Sequence, residues 1–373
     1  MSQKIMRNKA MDTVGGIMIL FMILRHCLIG TMKTSVFGGV VAYYPLLFFM
    51  AWFFFKGGMY YREESLPVCI SKGFWRLLVP YAVFSALAVV VALIVRGCVS
   101  GMDGVTDVLR KIPVYLKREG AVECNAPLWF LLSLFLVRVF FSFARNLRIP
   151  AWLVGVCSLF AAWGLYLGDF PIGQFFENIP MGLCFFALGY MLKDKQYSNY
   201  AFIPSLIIFI GYLFYCCFTR EVVGTFNTNT HTPYFPTVVY YVAGCIAINN
   251  LFTRFPKLQS DFLASIGNHS MAYYTTHFII IISFLYVNEK ILHLNDVQVF
   301  FVLVALEALL LPFIGMLFQK PQLGWMTGEG RIKASPLIGN KTIAYAFTLL
   351  LMTAMCIYVM KFVWPLLPLL SNR

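Results

Sequence analysis

Five ionisable side chains fall where lipid would surround them: Arg25 and His26 in the first apolar run, Lys56 in the second, His277 in the ninth and Glu307 in the tenth. Such groups cost ~3 kcal/mol each by insertion scales, are rare, and face a cavity or a partner. Their chemistry is proton transfer by histidine, with a carboxylate or cation setting the protonation state. No GxSxG elbow, HExxH pair or acidic dyad is present. A histidine base that takes a proton from a hydroxyl, so that the oxygen can attack an activated acyl carbon, fits this inventory and needs no metal. An anionic activated donor in the cytoplasm would suit a basic inner face. Each residue also has a plainer reading. Lys56 can snorkel, Glu307 can form an ion pair with Arg25, Lys56 or either histidine, and a buried histidine can be a satisfied packing residue.

Long apolar helices must position these groups. The stretch MDTVGGIMILFMILRHCLIG, 11–30, is long enough to cross a bilayer and follows Lys4, Arg7 and Lys9, which puts its start in the cytoplasm. With ~1.5 Å of rise per residue, a span from Thr13 carries His26 roughly 20 Å up, past the midplane. His277 enters from the cytoplasm in a span read from residue 270, so it is expected at only ~10 Å, with Tyr273 and Tyr274 one turn below. No small-residue cleavage pattern follows the first run, so it reads as retained rather than as a signal peptide.

Composition agrees with a lipid setting. The chain has 373 residues, 60% hydrophobic and 12% charged, against about 25% charged in soluble domains. The net charge of +13 comes from residues scattered over loops, which favours the positive-inside effect over nucleic-acid binding. Ten cysteines show no CxxC pair and no zinc spacing. Most lie in apolar runs and act as small hydrophobes. Cys98 and Cys124 share one polar loop and could pair if that loop is extracytoplasmic.

Eleven apolar runs can be marked, at 13–31, 38–60, 74–95, 127–143, 151–168, 178–192, 200–218, 237–252, 270–288, 297–318 and 342–364. They predict an all-α, polytopic membrane bundle of about 10–11 transmembrane helices. Sixteen Lys and Arg fall on the side of the N-terminus and ten on the other, so the N-terminus is expected inside and, with eleven spans, the C-terminus outside. Three long loops remain. Residues 96–126 mix charges with turn formers, and VTDVLRKIPVYL within them reads as a short amphipathic helix. Residues 219–236 carry Thr, Asn and aromatic residues on the outer side, as a solvated loop or a surface for hydroxyl-rich ligands. Residues 319–341 are Gly-rich and basic, and GEGRIK there is a poor match to a phosphate loop. The Gly57-Gly58 pair permits either close helix approach or a helix break.

Six motifs in order carry a resemblance: MDTVGGIMILFMILRH, FFMAWFFFKGGMYYRE, KGFWRLLVPYAVF, NAPLWFLLSLF, FFALGYMLKDK and IGNHSMAYYTTHFIII. Together they make the chain resemble the acyltransferase-3 family of bacterial integral-membrane acyltransferases, over about Lys9 to Phe318. The resemblance implies a membrane acyltransferase domain, 1–318; beyond it, residues 319–373 read as a basic cytoplasmic loop and an additional C-terminal span. It implies transfer of an acyl group, commonly acetyl, from a cytoplasmic coenzyme A thioester to a sugar hydroxyl of a cell-envelope glycan or glycolipid, in the bacterial inner membrane. Acetyl-CoA is then a donor substrate and no cofactor is resident. By the same resemblance His26 is the first-span catalytic histidine and His277 the late-span one. Lys72 and Arg76 stand where the family has basic residues suited to coenzyme A phosphates.

One departure stands out. The family usually has Arg or Lys eleven residues before the first-span histidine, where this chain has Gly15. Arg25 or Lys56 could replace that cation in donor binding, and Glu307 joins the histidines as a catalytic candidate. Two other readings remain open: a transporter or flippase for a lipid-linked or polar solute, which would favour pseudo-symmetric halves not evident here, and an inactive structural relative.

Overall fold

The computed structural model describes residues 8–28, 43–168, 174–328 and 340–363. They form thirteen α-helices: α1 Lys9–Cys27, α2 Phe49–Met59, α3 Leu66–Gly73, α4 Val79–Glu119, α5 Trp129–Asn146, α6 Ala151–Gly168, α7 Gln174–Leu192, α8 Asn199–Thr219, α9 Tyr234–Arg254, α10 Asp261–Asn268, α11 Ser270–Val287, α12 Asp296–Phe318 and α13 Lys341–Val363. A small antiparallel hairpin, β1 Val223–Thr225 with β2 Thr230–Thr232, pairs Gly224 with His231. The fold is a polytopic helical membrane bundle. Eight segments among the described residues are long and apolar enough to cross a membrane, and one of them, 66–146, contains the third and fourth apolar runs. The second run yields α2, only 11 residues long. Its stretch up to residue 42 lies outside the described residues, as does 329–339 of the basic loop.

The helix that carries His26 is built on a close backbone contact. The Asn8 side chain caps α1 by accepting from the Met11 N–H at 3.3 Å, which satisfies one of the helix's free donors. The α10 backbone then lies directly against α1. A methyl group added at Gly16 would overlap the Leu263 carbonyl, and one at Gly267 the Asp12 carbonyl. Small residues at such crossings let helices associate where lipid supplies no hydrophobic drive. Gly58 on α2 does the same against the Phe186 carbonyl of α7. Of the two readings of Gly57-Gly58, close approach is therefore the one realised, and α2 runs through both residues unbroken.

The depth expected for His277 is corrected by this contact. Lys9 and Asp261 form an ion pair of 2.6 Å at one end, and His26 and His277 meet at the other. α10 and α11 thus climb beside α1 nearly residue for residue, and the two histidines lie at one level. The half-polar sequence DFLASIGN carries too weak an apolar signal to be read as part of a span, so the ascent begins about nine residues before the apolar run.

Residues 96–126 are also corrected, from a loop to helix. α4 runs through Val79–Glu119 with a sharp break at Gly101 (φ 60°, ψ −144°), a conformation glycine adopts without a Cβ penalty. The second half, which contains the expected VTDVLRKIPVYL helix, folds back on the first. The buried Arg96 guanidinium bonds Asp107 at 2.8 Å and Glu123 at 3.2 Å. Cys98 and Cys124 are both free thiols, Cys98 exposed and Cys124 buried. Outward faces are apolar, for example Ile207, Phe214 and Phe218 on α8 and Leu309, Phe313 and Met316 on α12. Lipid would cover these faces, while Trp52, Phe54 and Phe55 of α2 are wholly buried at the centre.

Candidate active site

At the C-terminal end of α1, His26 Nδ1 lies 2.8 Å from His277 Nε2, with the ring planes 10° apart. His277 is wholly buried. Its Nδ1 is 2.8 Å from the Tyr274 carbonyl and 3.2 Å from that of Tyr273. Carbonyl oxygens only accept, so His277 Nδ1 carries the proton and its Nε2 is left as an acceptor. The N–H on His26 must then be at Nδ1, donating to His277. His26 Nε2 keeps its lone pair, makes no hydrogen bond within the described residues, and is not buried. Two backbone carbonyls thus select, through one imidazole, the tautomer of the next.

The segment that fixes His277 is held from a third element. A short 3-10 turn, Glu123–Leu128, precedes α5. Its Asn125 side chain donates to the Thr275 carbonyl at 2.8 Å, and its Pro127 carbonyl accepts from the Tyr274 hydroxyl. Asn125 is buried and its Oδ1 has no partner among the described residues. Sequence reasoning passed over Asn125; the signal was a polar residue two positions before Pro127, at the start of an apolar run.

His26 opens on a cavity of about 570 Å³ at this end of the bundle. Its wall includes Arg25, Tyr43, Tyr44, Phe49, Glu119, Trp129, Arg220, Phe226, Asn227 and Tyr274. Residues 219–236 therefore supply part of a concave surface, through the hairpin and Arg220. Arg25 faces the same cavity as His26, and its guanidinium lies 4.6 Å from the Tyr43 ring centroid and 5.5 Å from that of Phe49. Such contacts orient a cation without neutralising it.

The remaining ionisable residues stand apart. Glu307 is 3% exposed and both its oxygens are without a hydrogen-bond partner among the described residues. The pairing open to it with Arg25, Lys56 or a histidine is not formed among the described residues, and Glu307 is not part of the cavity wall. Lys56 lies at the opposite end of α1. Its ammonium is 3.4 Å from the Met11 carbonyl and 4.9 Å from the Trp52 ring centroid, and a Cβ at Gly15 would stand 3.1 Å from it. The ammonium thus fills the space that a side chain at Gly15 would occupy. Lys72 pairs with Glu64, which also binds Arg138 at 2.8 Å. Arg76 is exposed in a π-helical turn, Phe74–Leu78. Pro80 four residues on has no N–H to offer the Arg76 carbonyl, which favours such a wide turn.

A third histidine, His231, also escaped the sequence reading. It lies in β2 with its side chain wholly buried, Nδ1 3.3 Å from the Tyr241 hydroxyl and Nε2 without a partner among the described residues. Burial holds its imidazole down to about 3. It does not line the cavity.

No curated protein and no solved structure matches this chain. A family model described as an acyltransferase domain matches residues 8–318, which takes in α1 to α12 and therefore both histidines and every residue named on the cavity wall. The chain belongs to the acyltransferase-3 family and is a membrane acyltransferase.

Proposed function

We propose that this membrane acyltransferase moves an acyl group, acetyl in the simplest case, from a coenzyme A thioester to a hydroxyl of a cell-envelope glycan or glycolipid, with His26 as general base. The observation that carries the reading is the ordered His26–His277 pair opening on the cavity. His26 Nε2 accepts the proton of the acceptor hydroxyl as its oxygen attacks the thioester carbonyl carbon. The C–O bond forms, the C–S bond breaks, and the departing thiolate takes the proton from the His26 imidazolium. His277 holds the ring by accepting from Nδ1–H throughout, so Nε2 alone exchanges the proton.

The orientation follows from the Lys and Arg bias, with Lys9 and Lys72 on the cytoplasmic side of the inner membrane and the cavity on the outer side. The donor then arrives at the inner face, where Arg76 has no carboxylate partner among the described residues and Lys72 shares Glu64 with Arg138. Lys56 supplies, beside Gly15, the cation that the family's first span usually carries itself. A rise of ~1.5 Å per residue separates that level from His26 by about 16 Å, which the thioester arm must bridge between the helices. Glu307 has no step in this scheme.

The test is transfer of labelled acetyl groups from acetyl-CoA to envelope glycan, by the full chain in proteoliposomes. His26→Ala should lower the rate by at least ~10²-fold while inserting at normal levels. Undiminished transfer by that variant would remove the assignment.

A further inference from the structure

The charge on the cavity wall is unbalanced. Buried and half-buried arginines elsewhere meet carboxylates: Arg96 with Asp107 and Glu123, Arg138 with Glu64, and Arg145 with Glu63. Arg25, half-buried beside His26, makes no ion pair among the described residues and rests on the Tyr43 and Phe49 rings instead. Arg220 stands on the same wall. It is the C-cap of α8 at φ 56°, and its N–H is bonded to the Cys216 carbonyl at 3.0 Å. Its backbone is therefore fixed while its side chain is exposed and likewise unpaired. Glu119, the carboxylate on the wall, forms no ion pair with either arginine. A guanidinium held half out of water without a counter-ion is costly, and an incoming anion relieves that cost.

Resting on the acyl-transfer reading, we propose that the acceptor carries an anionic group, a phosphate ester or a carboxylate, bound by Arg25 and Arg220 while a hydroxyl of the same molecule meets His26 Nε2. Arg25 adjoins His26 in the chain and lines the same cavity, so a bound anion lies close to the reacting hydroxyl. The planar guanidinium fork matches either anion in a bidentate pair, and a lysine would hold it as a point charge only. Arg25 then serves the acceptor on the outer side, and donor binding is left to Lys56, Lys72 and Arg76. Two sources share this chemistry: the phosphate of a lipid-linked sugar and the carboxylate of an acidic sugar.

The test measures binding of glucose 1-phosphate, glucuronate and glucose to the full chain in detergent, by ligand-induced shifts in melting temperature, with no acyl donor present. One or both anionic sugars should bind about tenfold or more tightly than glucose. Arg25→Gln combined with Arg220→Gln should bring them to within ~3-fold of glucose. Arg25→Lys, which keeps the charge, should retain part of the preference and guards against a folding defect. Preference for glucose 1-phosphate identifies the phosphate source, and preference for glucuronate the acidic sugar. Equal binding of charged and neutral sugars, or a preference that survives the double substitution, overturns the proposal. Acyl transfer is assayed separately. If the preference holds while transfer from acetyl-CoA is absent, the proposed function fails and the anion site stands.

Discussion

The two ends of α1 solve opposite problems. At the Lys9 end, Gly16 and Gly267 bring α1 and α10 together backbone to backbone, and the Lys56 ammonium fills the slot at Gly15. At the other end the helices hold two imidazoles in register and leave space beside them. The difference teaches that the histidine end depends on the tight end. His26 can meet His277 because α10 and α11 track α1 from the Lys9–Asp261 pair upward. A change in spacing at the glycines would therefore be felt some 15 Å away, at ~1.5 Å per residue.

Gly16→Val should break this dependence most severely. The added atoms meet the Leu263 carbonyl, which is main chain and cannot rotate aside. A loss of about 3 kcal/mol or more is expected, read as a lower melting temperature in detergent together with lost acyl transfer. Retained stability with normal transfer would separate the two ends. His277→Ala leaves the tight end intact and frees the His26 tautomer. Transfer should fall ~10- to 100-fold, equivalent to roughly 1.4–2.7 kcal/mol in the barrier, with melting changed far less than by Gly16→Val. A rate equal to that of the unaltered enzyme would show that His26 needs no orienting partner.

A contrast between histidines sharpens the point. His277 has both nitrogens bonded to neighbours, whereas His231, in the hairpin, has an Nε2 without a partner among the described residues. With His231 held at about 3, its value in the fold lies below that of the unfolded chain, ~6.5. The unfolded state then binds more protons below that pH, so stability is full above ~6.5 and falls as the pH drops toward 3. At pH 5 the loss is ~2 kcal/mol. His231→Gln should flatten the fall in melting temperature between pH 7 and 5, and an unchanged slope would assign it to other groups. The smallest effect is expected at the tight end. Lys56→Gln should raise the KM for acetyl-CoA about fivefold, or ~1 kcal/mol, with kcat little altered. An effect on the acceptor KM instead would move Lys56 out of donor binding.

Much of this was legible in the residues. Apolar runs of spanning length mark the helices, since a backbone in lipid must satisfy its own hydrogen bonds. His26 and His277 stand out because an imidazole there carries a cost that needs a reason. Two helical stretches were hidden. DFLASIGN mixes polar and apolar residues because one of its faces meets the α1 backbone rather than lipid. The second half of α4 resembles a loop because its charges, Asp107 and Lys111 among them, pair with one another and with Glu123 rather than with water alone.

Sequence by itself determined the class of fold, the family, the two histidines and the missing cation at Gly15, because each depends on which residues occur and how far apart. Tertiary structure alone decided their partners. It brought residues 251 positions apart to 2.8 Å, chose the tautomers through the Tyr274 carbonyl, set Lys56 against Gly15, kept Glu307 off the cavity wall, and turned Arg25 and Arg220 onto it. Hydrogen bonds and charge pairing act over a few ångströms in space, and only the packing of helices that are distant in the chain establishes those distances.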